Sequence, residues 1–291
     1  MDVEVVVKAS DKLGEAVLWS GQKREIVWAD IEGSRLWKYD LQSSQATLRQ
    51  LPARLCSFAE IANSTLLLAG FEDGIYTFDS SSLERKLIVK VEEHLPHTRV
   101  NDGRCDRFGQ FVFATVDETG GRDGSLYQMN AKGKLTRLLD GIGVGNSIAF
   151  SPDGSSLYFA DSLNKRIDIY EYNGNKGTIA GRRTFVDLSK LPGDPDGSTI
   201  DSQGCLWNAH YGNSSITRYA PSGEALLTIQ LPTSQPTCVC FGGDIWDTLF
   251  ITSAAEGTDP SVEPLAGSLF LVRTNFKGLS EAKFAQVPAT G

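Results

Sequence analysis

Four polar residues stand at the heads of otherwise apolar runs: Glu15 in GEAVLW, Asn101 in RVNDG, Asn146 in GNSIAF and Asp196 in DPDGST. Two carboxylates and two amide oxygens turned toward one point would make a hard, oxygen-rich cage. Such a cage suits Ca²⁺, Mg²⁺ or Mn²⁺, and Zn²⁺ or Fe²⁺ is also compatible with the donor set. No cysteine or histidine stands among the four, which argues against a structural zinc site. Asn and Asp also favour turns. Glutamate does not, so turn chemistry alone leaves four such residues at equivalent positions unexplained.

The elements that must bring them together are β-hairpins. Residues 146–161 read NSIAFSPDGSSLYFAD: an apolar strand, a Ser-Pro-Asp-Gly turn and a second apolar strand. The same unit recurs at 15–30, 101–115 and 196–209, with degenerate copies at 58–79 and 236–252. A third strand follows at 34–39, 124–129, 166–172, 215–219 and 267–272. Six units at a period of about 40–50 residues predict a six-bladed β-propeller built from four-stranded blades. A pair of β-sandwich domains would be all-β too, but would not explain a fixed period. Residues 3–8 are expected to pair with the last blade and close the ring, making residues 1–291 one domain. In a propeller the innermost strands line the central channel, so Glu15, Asn101, Asn146 and Asp196 should converge at one mouth.

The bulk properties set the outer limits. The chain has 291 residues and a net charge of −8, with 28 basic and 36 acidic residues, a poor match to a nucleic-acid partner. Its apolar runs are too short to span a bilayer, so no membrane partner is expected. The N-terminus lacks a basic segment followed by an apolar one. Five cysteines, without metal-type spacing, suggest reduced thiols. Together these lead us to expect a cytoplasmic protein. Nucleophile-elbow, Walker and dinucleotide motifs are absent. His94 and His97 form an H-x-x-H pair that reads as an irregular loop. His210 is a candidate for the pocket wall, and the tryptophans read as packing between blades.

In order and spacing, LGEAVLW, VWADIEGSRLWKYD, RVNDGRCDRFGQFVFAT, GNSIAFSPDGSSLYFADS and DPDGSTIDSQGCLW resemble the regucalcin (senescence marker protein)/gluconolactonase family over nearly the whole chain. The resemblance implies that Glu15, Asn146 and Asp196 hold one divalent metal ion and that Asp196 is also the general base. It implies that Arg99 and Asn101 contact substrate. Glu118, in the loop after the third-blade strand, is a further candidate contact. The chain departs from the family at Ala16-Val17, at Ala114-Thr115-Val116 and at Asn208. These changes spare the cage and alter the wall around it. The expected activity is metal-dependent hydrolysis of a sugar lactone to the aldonic acid. The rivals are hydrolysis of other lactones or organophosphates, and a non-catalytic scaffold. The oligomeric state is not legible.

Overall fold

Among the described residues 24 strands pair into six antiparallel sheets of four. The computed structural model describes residues 1–285, and it is a six-bladed β-propeller. The inner strands are Gly14–Ser20, Leu55–Glu60, Thr98–Cys105, Gly145–Phe150, Asp194–Ile200 and Pro236–Gly242, in blades one to six. Each packs against the inner strands of its two neighbours, and the sixth meets the first. Blade six is completed by Thr248–Ser253, Leu269–Arg273 and the N-terminal strand Val3–Val7. Val3 stands opposite Val272 and Val5 opposite Phe270, so the first strand of the chain closes the ring as expected.

The core lies between blades rather than within them. Six apolar clusters fill the six blade interfaces. Leu18, Val27 and Ala29 of blade one meet Leu55, Phe58 and Phe71 of blade two. Trp19 and Ile26 on the other side of blade one meet Cys240 and Phe250 of blade six. Each interface buries several large side chains, each stabilising by about 1.5–3 kcal/mol. This explains the aromatic middle strands. Trp19, Trp28 and Trp207 are buried as packing residues, as the sequence suggested. The five cysteines are free and buried. No helix among the described residues is long and apolar enough to cross a membrane.

Blade two differs in detail from its reading in the sequence. The segment 58–79 holds the end of the inner strand and two further strands, Leu67–Phe71 and Gly74–Phe78. The inner strand itself begins earlier, at Leu55. The fourth strands left little trace in the sequence because they face water. Gln45–Gln50 is exposed at every residue, so it carries no alternation.

The segment after blade six crosses the face opposite the mouth. Ser202 N–H bonds the Lys277 carbonyl at 2.7 Å, and Phe284 N–H bonds the Glu60 carbonyl at 2.8 Å. Glu281 forms an ion pair with Arg104, whose guanidinium also donates to the carbonyls of Ser198 (2.6 Å) and Ile148 (3.0 Å). This strap floors the channel and leaves access from the other end.

Candidate active site

Five of the six inner strands share one local device. The pairing register slips between Glu15 and Leu18, Val100 and Gly103, Asn146 and Ala149, Pro195 and Ser198, and Pro236 and Val239. Each slip is a β-bulge, which bends the strand and re-aims a side chain. Ala16 and Ser147, directly after Glu15 and Asn146, have φ of 54° and 61°. A left-handed conformation at a non-glycine residue costs about 1–3 kcal/mol and persists only where the surroundings enforce it. Gly197, after Asp196, fits for a steric reason: a Cβ there would stand 2.8 Å from Cys238 Cα.

The bulges open on a cavity of about 260 Å³ lined by Glu15, Arg99, Asn101, Asn146 and Asp196. The four residues that head the apolar runs therefore meet at one place. Leu13, Val116, Val144 and Leu163 add an apolar wall, and Ser162, Asp194, Pro195, Tyr211 and Glu256 complete the lining.

A chain of hydrogen bonds runs around the axis through three blades. Arg99 donates to Asn101 Oδ1 at 2.7 Å. Asn101 Nδ2 donates to Asn146 Oδ1 at 3.0 Å and to the Gly145 carbonyl at 3.1 Å. Asn146 Nδ2 donates to Ser162 Oγ at 3.1 Å, and Ser162 Oγ donates to the Pro195 carbonyl at 2.7 Å. The chain fixes the Asn146 amide and leaves its oxygen one further lone pair. The oxygen of Asn101 accepts from Arg99, and its N–H groups go to Asn146 and Gly145, so Asn101 anchors this network rather than completing an oxygen cage.

The carboxyl groups behave as a crowded buried set. Burial pushes the Glu15 carboxyl up to about 8, with the nearby Asp102 charge acting in the same direction. Asp196 is also pushed well up, by burial first and then by Glu15 and Asp102. Glu15 and Asp196 line the same cavity, and the Glu15 charge is one cause of the rise at Asp196. Like charges held this way need a proton or a cation between them. Two carboxylates and an amide oxygen are the hard donors that a divalent ion takes, so Glu15, Asn146 and Asp196 fit such an ion.

Glu118 lies elsewhere. It is absent from the cavity lining and holds Arg99 from behind, accepting from Arg99 Nε at 3.0 Å and from Arg54 NH1 at 2.6 Å. His210 is buried beneath the wall with Nε2 3.0 Å from the Tyr219 hydroxyl, and burial lowers its pKa to about 4. Its neighbour Tyr211 lines the cavity in its place.

The sequence assigns no role to Asp102, and Asn208, expected in the wall, is absent from the cavity lining. Asp102 sits on the blade-three bulge and accepts from Ile148 N–H at 2.9 Å. Asn208 is fully buried and donates to the Asp196 carbonyl at 2.7 Å and to Ser198 Oγ at 2.9 Å. Ser198 Oγ lies 2.6 Å from Ser147 Oγ, which ties blade five to blade four beside Asn146 and Asp196. A polar residue in the middle of a buried strand was the available signal for Asn208.

A second group, His97, Asp117 and Asp123, has donor atoms within 4.8 Å of one another and is spaced to hold an ion. Its groups also serve the loop. His97 Nε2 lies 2.8 Å from Asp123, and Asp117 accepts from Thr119 N–H at 3.0 Å and Asp123 N–H at 3.1 Å.

Residues 13–255 match the family model described as SMP-30/Gluconolactonase/LRE-like region. The chain belongs to this family. Within the family it is 40% identical over 283 residues to L-arabinolactonase of Azospirillum brasilense, covering 95% of this chain and 93% of that protein. It is 33% identical to 6-deoxy-6-sulfogluconolactonase of Pseudomonas putida, covering 97% and 98%. Among solved structures, a calcium-binding protein, regucalcin, from Agrobacterium tumefaciens superposes with a TM-score of 0.93 at 30% identity, covering 97% of both chains.

Proposed function

We propose that this family member is a metal-dependent lactonase that opens a sugar lactone to its aldonic acid in the cytoplasm. Enzymatic lactone hydrolysis is the family-level activity. The metal and the residue roles go beyond that activity. The observation that carries them is the convergence of Glu15, Asn146 and Asp196, through bulges on three separate blades, on one cavity with Arg99 and Asn101.

A divalent ion bound by Glu15, Asn146 and Asp196 supplies Lewis acidity toward the lactone carbonyl. Asp196 accepts the proton of the attacking water through its carboxylate and returns it to the ring oxygen as the ring opens. Arg99, and Asn101 through the remaining lone pair of its amide oxygen, hydrogen-bond sugar hydroxyls and orient the ring. Glu118 and Arg54 keep the Arg99 guanidinium in place. The apolar wall shields the face of the ring that carries few hydroxyls and limits water around the reacting carbon.

The test is a pH-indicator hydrolysis assay over a panel of sugar lactones, non-sugar lactones and organophosphates. It is run on the purified protein, after chelation and after add-back of single metals. Turnover of a sugar lactone that is lost on chelation and restored by one dication supports the reading. No turnover of any ester with any metal would favour the scaffold.

A further inference from the structure

The cavity lining holds four carboxylates, Glu15, Asp194, Asp196 and Glu256, against one cation, Arg99. Three of the carboxylates have a balancing partner. Glu15 and Asp196 are balanced by the proposed metal ion. Asp194 lies 3.5 Å from Lys165 Nζ outside the lining. The cation is committed too. Arg99 pairs with Glu118 at 3.0 Å and donates to Asn101 Oδ1 and to the Val100 carbonyl. Glu256 is left over. It is exposed at the rim, its turn is held by a backbone N–H bond to the Lys12 carbonyl at 3.1 Å, and its carboxylate takes no ion pair among the described residues.

The acids act on a common region. Tyr211, in the same lining, has its hydroxyl pKa pushed up to about 12, by burial first and then by Asp196, Glu256, Glu15 and Asp194. A substrate substituent that projects from the ring toward the mouth therefore enters a field of net negative sign, in which Arg99, the cation of the lining, is already balanced by Glu118.

We propose that Glu256 makes this cavity selective for neutral lactones, accepting a hydroxyl of the substrate at the rim and repelling a phosphate, sulfonate or carboxylate at the same place. This rests on the lactonase reading above and goes beyond it, because the relatives named there include one for a neutral lactone and one for a sulfonated lactone. At about 6–8 Å and an effective dielectric of about 40, one like-charge contact changes kcat/KM on the order of fivefold to tenfold. Salt should weaken it, because the rim is exposed and the Debye length falls to about 3 Å at 1 M.

The experiment compares a neutral aldono-1,5-lactone with its 6-phosphorylated counterpart, with spontaneous hydrolysis subtracted. It uses the metal-loaded wild type, Glu256→Gln and Glu256→Lys, at low and high ionic strength. The expected wild-type preference for the neutral lactone is about tenfold or more. The neutral-to-anionic ratio of kcat/KM should fall about fivefold in Glu256→Gln and about twentyfold in Glu256→Lys; salt should narrow the wild-type preference, leave Glu256→Gln little changed and raise the ratio in Glu256→Lys. Equal turnover of the two lactones by the wild type, or a ratio unmoved in both variants, overturns the proposal while leaving the lactonase reading intact. A wild type that opens neither lactone overturns the lactonase reading, and this inference with it.

Discussion

Blades four and six carry the same bulge on the same inner strand, yet one turns a polar side chain into the cavity and the other does not. In blade four the slip follows Asn146, whose amide reaches the cavity and is fixed by Asn101 and Ser162. In blade six the slip spans Thr237, which is fully buried and spends its hydroxyl on the Gly14 carbonyl and on Thr252 Oγ1 at 2.9 Å. Blade two has its slip near the strand start, between Leu55 and Ser57, and lends no residue to the cavity lining. The bulge is thus a property of the fold that creates an inward-facing position. The residue placed there decides whether the position binds or merely packs.

The largest effect expected from this contrast is at a ligand bulge. Asp196→Ala should lower kcat/KM for a lactone by about 10³-fold or more, with the far-ultraviolet spectrum unchanged. Near-normal turnover would remove Asp196 from the chemistry.

Next comes the acidity of the pair. Glu15 is raised from 4.5 to about 8 in the folded protein, so between those values the folded state holds a proton that the unfolded state has lost. That contribution to stability is full below pH 4.5 and is lost as pH rises through about 8. The Tm of chelated protein should therefore fall across this window. The Tm gain from added dication should grow, since binding must displace the proton. A metal-induced gain independent of pH would break the link between the carboxyl pair and the ion.

The smallest effect on activity is expected at blade six. Thr237→Val should cost on the order of 1–2 kcal/mol of stability by leaving the Gly14 carbonyl unpaired. It should keep kcat/KM within about threefold, an effect too small to reflect loss of a catalytic contact. Loss of metal binding in this variant would mean that the six bulges act as one unit and that the contrast is false.

Much of the fold was legible because a propeller repeats itself. Each hairpin announces its strands by apolar alternation and its turn by Pro-Asp-Gly or a like signal, and the repeat then fixes the blade count. The pattern also picked out the residues that head the ligand strands, since Glu15 and Asn146 interrupt apolar runs. The bulges were not legible, because one extra residue in a strand changes the register without changing composition. Orientation was hidden as well. Glu118 adjoins the cavity in sequence terms, but two arginines draw its carboxylate to the far side of Arg99. Glu256 lies in a turn after the blade-six strand, and only the closed ring brings it to the same mouth as Glu15.

The central claim is that bulges on blades one, four and five build one metal position. Anomalous diffraction from crystals soaked in Mn²⁺ locates the ion directly. The account predicts one dominant peak within about 2.0–2.6 Å of oxygens from Glu15, Asn146 and Asp196. A peak instead at His97, Asp117 and Asp123, with none between the three blades, would contradict it.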